Sequence, residues 1–410
     1  MLNWLRPFSI FCYLDNQQYQ IEPHQTDCLV GVGAKSFIEG HNIETANAFV
    51  SQQQWVFGHM AYELKNSLHG FHSIKKDRIG FPLFYFFQPQ IVLEIKSGEL
   101  RIYTADADSI FKEIEACSLS SEERQVVAVD PIPLLDKYAY TEKINALREH
   151  IRRGDCYEIN FCNEFFADRA DIDPFICFQN LMDVSPNPFS AFYRLNDKFL
   201  LCASPERFLA KKGNNVFSQP IKGTIKRDLL SPAEDQKLKE DLLNSKKEQA
   251  ENVMVVDLVR NDLTKICKPA TVNVDELFGI YSFPQMHQMI STISGELKDE
   301  IAFSNVVEAT FPMGSMTGAP KHRVMQLIDE YEPSSRGIFS GAVGYFHPHG
   351  DFDFNVVIRS IMYNQSDRFL SYQVGSGITF YSDPEKEWEE CLLKAEAIKK
   401  VLTSRPALPS

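Results

Sequence analysis

Lys222 stands in "SQPIKGTIK", between a Pro-Ile pair and a Gly-Thr pair, where a solvated lysine would have polar neighbours. A lysine held in apolar surroundings can lose its proton and act as a nucleophile. Glu206 in "CASPERFLA" also lies among apolar residues. A carboxyl kept there can hold its proton to neutral pH and serve as a general acid. Glu248 and Glu251 in "KKEQAENV", and Glu387 and Glu390 in "EKEWEEC", are each three apart. On a helix, that spacing turns two carboxylates to one face. Two such helices opposed make a hard-oxygen site suited to Mg2+ and an anionic substrate. Each reading has an ordinary alternative: a surface lysine, a local ion pair between Glu206 and Arg207, and two solvated acidic faces.

Further residues are suggestive in the same way. Arg359 in "FNVVIRSIMY" is a cation inside an apolar strand pattern, so it needs a carboxylate partner, from a substrate or from the protein. Gly375 and Gly377 in "VGSGI" would let backbone N–H groups approach a ligand, or would mark a β-bulge. "FPMGSMTGAPK" is a glycine-bearing loop leading into a helix, with N–H groups placed to meet an anion. His287 in "PQMHQMIS" could be a donor, a base or a core histidine.

The elements that must position these residues mix strands and helices without a steady βαβ rhythm, which predicts an α+β fold. Residues 1–115 alternate short aromatic-rich strands with turns, as in "FPLFYFFQPQIVLEI". The polar, proline-bearing stretch from Cys117 to Pro133 predicts a boundary between an N-terminal region, 1–120, and a larger one, 135–402. "YTEKINALREHIRRGD" reads as a helix opening at Thr141 and ended by Gly154. "PAEDQKLKEDLLNSKKEQAENVMVVDLVRNDL" reads as one charged helical stretch turning apolar. "SDPEKEWEECLLKAEAIKKVL" reads as a helix with a Ser382/Glu385 capping box, followed by a fraying tail.

The chain has 410 residues, 44% apolar and 24% charged, enough for a large core. A net charge of −13 argues against nucleic acid and anionic membranes as partners. No segment approaches the roughly 20 apolar residues that span a bilayer. The start lacks a signal-peptide pattern. Nine scattered cysteines, none in a C-x-x-C pair, read as free thiols in a reducing cytoplasm.

The order of the motifs adds to this. "IRRGDCYEINF", "ASPERF", "QPIKGT", "KEQAENVMVVDLVRNDL", "FPMGSMTGAPK", "RGIFSGAVGYF", "VVIRS" and "GSGITFYSDPEKEWEECLLKAEA" together resemble the chorismate-utilising enzymes, over about residues 135–402. "VFGHMAYELK" is similar to a segment of that family's first domain. The resemblance implies a sandwich of antiparallel sheets flanked by helices. It implies Mg2+ on Glu251 and Glu390, supported by Glu248 and Glu387. Gly223, Thr224, Gly375, Gly377 and Lys394 match contacts to the ring carboxylate of chorismate, Tyr345 and Arg359 contacts to its enolpyruvyl side chain, and Ser315 and His287 further site positions. Glu206 matches the acid that protonates the departing 4-hydroxyl. Lys222 and "GSMTGAPK" resemble the aminodeoxychorismate synthase component I branch, so a low-pKa Lys222 would attack C2 before ammonia adds at C4. That chemistry serves p-aminobenzoate and folate synthesis. An anthranilate synthase component I-like lyase and a non-catalytic amidotransferase scaffold are the alternatives. The chain holds no G-x-C-x-G elbow, so ammonia would come from a separate glutamine amidotransferase subunit or from solution. Glu158 departs from the pattern, since aminating members usually carry Gln there.

Overall fold

The aromatic and β-branched runs pair into antiparallel ladders throughout. In the computed structural model, which describes residues 1–19, 26–117, 128–283 and 286–403, these ladders make one sheet of eleven strands and one of ten. One apolar core fills the space between the sheets, with Tyr193, Leu200 and Cys202 from the first meeting Phe57, Phe86 and Val343 from the second. A second core lies between the outer face of the larger sheet and helices including Lys137–Arg152, Pro174–Val184 and Lys321–Tyr331. This is the α+β sandwich expected from the motifs.

Strands from before residue 117 belong to both sheets. Ile10–Asp15 pairs with Phe189–Leu195, and Val56–Met60 with Ala342–Phe346. The composition break near 117–133 therefore falls on a connection within shared sheets. Residues 118–127 of it, and the tail from 404, lie outside the described residues.

Local chemistry moves several helix ends. The helix expected from Thr141 starts at Lys137, because Asp136 accepts from the Ala139 N–H at 2.8 Å. The long charged stretch is two helices, Pro232–Asn244 and Lys246–Ile266. Ser245, in extended conformation, ends the first and caps the second. The last helix is capped by Asp383, which accepts from Glu385 N at 3.0 Å and Lys386 N at 3.3 Å. The Ser382 hydroxyl is instead taken by Thr379 N.

Arg336 ties these layers together. It is buried, pairs with Glu332 at 2.6 Å, and donates to the carbonyls of Met316 and Asn160. Arg336→Ala leaves Glu332 buried and uncompensated, so a loss of about 3–5 kcal/mol is expected in urea unfolding. A loss below about 1 kcal/mol would contradict this.

Candidate active site

The chain steps from the larger sheet to the smaller between Lys198–Ser204 and Arg207–Lys212, and back between Phe352–Asn355 and Ser360–Asn364. The two crossings touch, through Val356 N to Glu206 O at 3.0 Å and Ala203 N to Arg359 O at 3.2 Å. Glu206 sits in one and Arg359 in the other, so Arg359 is beside a strand and not in one. Its φ of +51° is uncommon for a residue with a side chain, and such backbones concentrate at functional sites.

Glu206 is buried and does not pair with its neighbour. Arg207 bonds Asp353 at 2.9 Å, whereas Glu206 accepts the Ser315 hydroxyl at 2.5 Å. Burial pushes the Glu206 carboxyl up to about 7, against the lowering influence of Ser315 and Lys222. Arg359 is partly buried, which lowers it to about 10. Among the described residues it makes no ion pair. Gln288, with its amide oxygen turned inward, accepts Arg359 Nη2 at 3.0 Å and Nη1 at 3.2 Å. A bound carboxylate would supply the missing countercharge.

Lys222 lies on Ile221–Lys226, an edge strand of the smaller sheet, and Glu158 on Glu158–Ala167 near the matching edge of the larger one. Their side chains, 11% and 3% exposed, form an ion pair across the gap. A Cβ on Gly377 would stand 2.6 Å from both Lys222 Nζ and Glu158 Oε1, and one on Gly375 would stand 2.6 Å from Cys162 Sγ. The register from Leu370 to Ile378 runs unbroken, so these glycines make room and do not mark a bulge. Gly223, at φ +94°, lies close to Glu248, where a Cβ would stand 3.1 Å from Oε2.

Lys246–Ile266 packs on the edge strand carrying Lys222, and Pro384–Lys394 packs on the strand carrying Gly375 and Gly377. They bring Glu248, Glu251, Glu387 and Glu390 together. Desolvation lowers the Lys247 ammonium, but all four carboxylates act on it and raise it. Burial raises Glu251 to about 7 and also raises Glu248. Glu390 is lowered, first by Lys394, which it meets at 2.7 Å; Lys394 also donates to Gly375 O at 2.9 Å. Among the described residues no three His, Cys, Asp or Glu side chains form a ready-made metal cage. The donor set still fits a hard cation, because Glu251 Oε1 and Glu387 Oε2 are buried without a hydrogen-bond partner.

Other expected site residues are placed differently. His287 faces away from the pocket, held by Asp235 at 3.1 Å and Ser282 at 2.9 Å. Successive residues of a strand point to opposite faces, so its neighbour Gln288 is the one that reaches Arg359. Tyr345 packs at a tilt against Trp55 and Phe57 and lines a separate small cavity with Asp15, Asp27 and Asn355. Thr224 is exposed, opposite Gln288 in the ladder. In the loop before Lys321–Tyr331, the N–H groups of Met316 and Thr317 bond the carbonyls of Met313 and Gly314 and do not face an anion. All nine cysteines are free, and eight are buried.

A profile of chorismate binding enzymes matches residues 9–400. The chain belongs to this family. It is 37% identical over 289 residues to aminodeoxychorismate synthase component 1 of Escherichia coli, covering 70% of this chain and 63% of that protein. It is 30% identical over 375 residues to the Bacillus subtilis protein of the same name, covering 88% and 79%. It is 32% identical over 351 residues to an anthranilate synthase component I-like protein of Synechocystis sp., covering 84% and 72%. The match spans less than two thirds of the Escherichia coli protein's length. In fold, this chorismate binding enzyme superposes on anthranilate synthase component I from Streptococcus pneumoniae with a TM-score of 0.81, at 24% identity, covering 93% and 94% of the two chains. No helix among the described residues is long and apolar enough to cross a membrane.

Glu206 gives a test that needs no activity assay. Its carboxyl titrates near 7 folded against 4.5 unfolded, so the folded state holds the extra proton between these values. Stability therefore falls as pH rises from about 4.5 to 7, by about 3 kcal/mol in all. Glu206→Gln should gain stability over the parent at pH 8 and little at pH 4.5. An equal difference at both pH values would refute the raised titration.

Proposed function

We propose that this chain is an aminodeoxychorismate synthase component I, converting chorismate and ammonia to 4-amino-4-deoxychorismate. The observation that carries the reading is Lys222. A primary amine lies largely buried between the sheets, over glycine, in the same pocket as a carboxyl near neutrality and an arginine without an ion-pair partner among the described residues.

In this reading Arg359 and Gln288 take the enolpyruvyl carboxylate. Lys222 forms a bond to C2 of the ring. The C4–O bond breaks as Glu206 gives its proton to the departing hydroxyl, which leaves as water. Ammonia then bonds C4, and the C2–N bond to Lys222 breaks. Ser315 holds Glu206 with its proton toward the leaving oxygen. Glu251 and Glu390, with Glu248 and Glu387, would hold Mg2+. When bound, that ion offsets carboxylate charge at the ring end of the substrate. A glutamine amidotransferase subunit would supply ammonia.

One expectation fails. Burial does lower Lys222, as foreseen, but Glu158, Glu251 and Glu390 outweigh it and hold the group well above the ordinary lysine value. The resting residue is an ammonium, and a nucleophilic amine requires that a proton be taken from it.

With chorismate, Mg2+ and ammonium, the expected product is 4-amino-4-deoxychorismate, seen by mass and by conversion to p-aminobenzoate once a lyase is added. Anthranilate formed without a lyase would assign the chain to the other branch. Bound chorismate without turnover would mark it as a scaffold. Lys222→Ala should cut turnover at least about 100-fold, and full activity would replace the covalent route by direct attack of ammonia.

Glu251→Gln should weaken Mg2+ binding by calorimetry at least about tenfold. Unchanged affinity would remove Glu251 from the ligand set.

A further inference from the structure

The ion pair leaves one oxygen unexplained. Glu158 Oε1 holds Lys222 Nζ, while Glu158 Oε2 is buried and has no hydrogen-bond partner. The carboxylate is 3% exposed and stands over the space that a side chain on residue 377 would fill. A clamp would need one oxygen. A carboxylate with its second oxygen free has somewhere to carry a proton.

We propose that Glu158 is a catalytic residue, the proton acceptor and donor for Lys222. The inference rests on the functional reading above. Glu158 touches the reacting nitrogen directly. In the first half-reaction one proton passes from the Lys222 ammonium to the Glu158 carboxylate, giving an amine and a carboxylic acid. The amine lone pair bonds C2, the ring double bonds shift, and C4–O breaks with the Glu206 proton leaving in water. In the second, the ammonia lone pair bonds C4 and the C2–N electron pair returns to Lys222. Glu158 then gives its proton back to Lys222, and Glu206 takes one from the new ammonium at C4. Both acids end as they began, and the sum is chorismate plus ammonia to aminated product plus water.

The charged groups around Lys222 come from four elements. Glu158 faces it from the larger sheet, Glu248 and Glu251 from one helix, Glu390 and Lys394 from another, and Glu206 from the sheet crossing. Only Glu158 contacts its nitrogen among the described residues. The others set the field in which transfer occurs and are unchanged in the variants below.

The test compares the full-length parent, Glu158→Gln and Glu158→Asp, with Mg2+, chorismate and ammonium, from pH 6 to 10. The parent should make 4-amino-4-deoxychorismate with a kcat that, once the ammonia fraction is corrected for, declines only as Glu206 loses its proton above about pH 7. Glu158→Gln should lose at least tenfold in kcat at pH 7, with KM for chorismate within threefold. Divided by the parent's kcat at each pH, its kcat should then climb about tenfold per pH unit, as only the free-amine fraction of Lys222 reacts while loss of the Glu206 proton affects both enzymes alike. Glu158→Asp, which still accepts a proton, should keep the parent's profile at a reduced level. The inference is overturned if Glu158→Gln overlays the parent in level and shape. Should that variant fail to fold, a Glu158→Asp profile that climbs with pH relative to the parent's overturns it. Parent enzyme that yields anthranilate, or no product, overturns the functional reading first and this inference with it.

Discussion

The pocket is organised around one ion pair that joins two sheets. Lys222 comes from the edge of one sheet and Glu158 from near the edge of the other, and they meet in the gap between them. A buried pair is tolerated when its geometry is good and costly when one partner is removed. Gly377 is the condition for it, because any larger residue would occupy the space where the two side chains meet. With the pair in place, the edge strand carries Gly223 against Glu248, and the neighbouring helix carries Glu251 inward.

The sheet crossings explain why chemistry collects here. A strand within a ladder has its backbone committed and its side chains fixed by the pleat. Where the chain changes sheets, both constraints lapse for a few residues. Glu206 and Arg359 occupy the two adjoining crossings and look into the same gap from opposite directions of travel. A turn at Gly314–Met316, anchored by Arg336, then delivers the Ser315 hydroxyl to Glu206.

How legible the structure is in the sequence follows from how much each pattern encodes. The i, i+3 acid pairs were legible because helical spacing alone fixes a shared face, and both pairs do converge. The fold class was legible from the mixture of periods and the motif order. Strand positions were harder. In "MHQMIS" a period of two separates His287 from Gln288 but does not say which one faces the pocket, and the packing of Asp235 against His287 decides it. Gly375 and Gly377 have the same appearance whether they kink a strand or clear space beside it. Tyr345 sits in a motif that the family carries, yet the pleat turns it to a different cavity. The ionisation of Lys222 was least legible, because burial and three carboxylates oppose one another and their balance depends on distance.

The pocket is electrically uneven, and its two ends make different demands on a carboxylate. At one end Arg359 and Gln288 offer donors, and no carboxylate pairs with the arginine among the described residues. At the other, Glu248, Glu251, Glu387 and Glu390 face Lys247 and Lys394. There carboxylates outnumber ammonium groups, which is why burial can hold Glu251 near 7. A molecule with two carboxylates therefore finds two unlike ends. Arg359 can neutralise one of them unaided. The other can enter the acidic end only if that end gains positive charge or protons. Either orientation of a dianion puts one carboxylate at each end, so the end charges fix where carboxylates sit, and the unlike groups between the ends, Lys222 and Glu206, distinguish the two orientations. In the proposed function the ring would lie between the ends, in the gap where Lys222 and Glu206 are held.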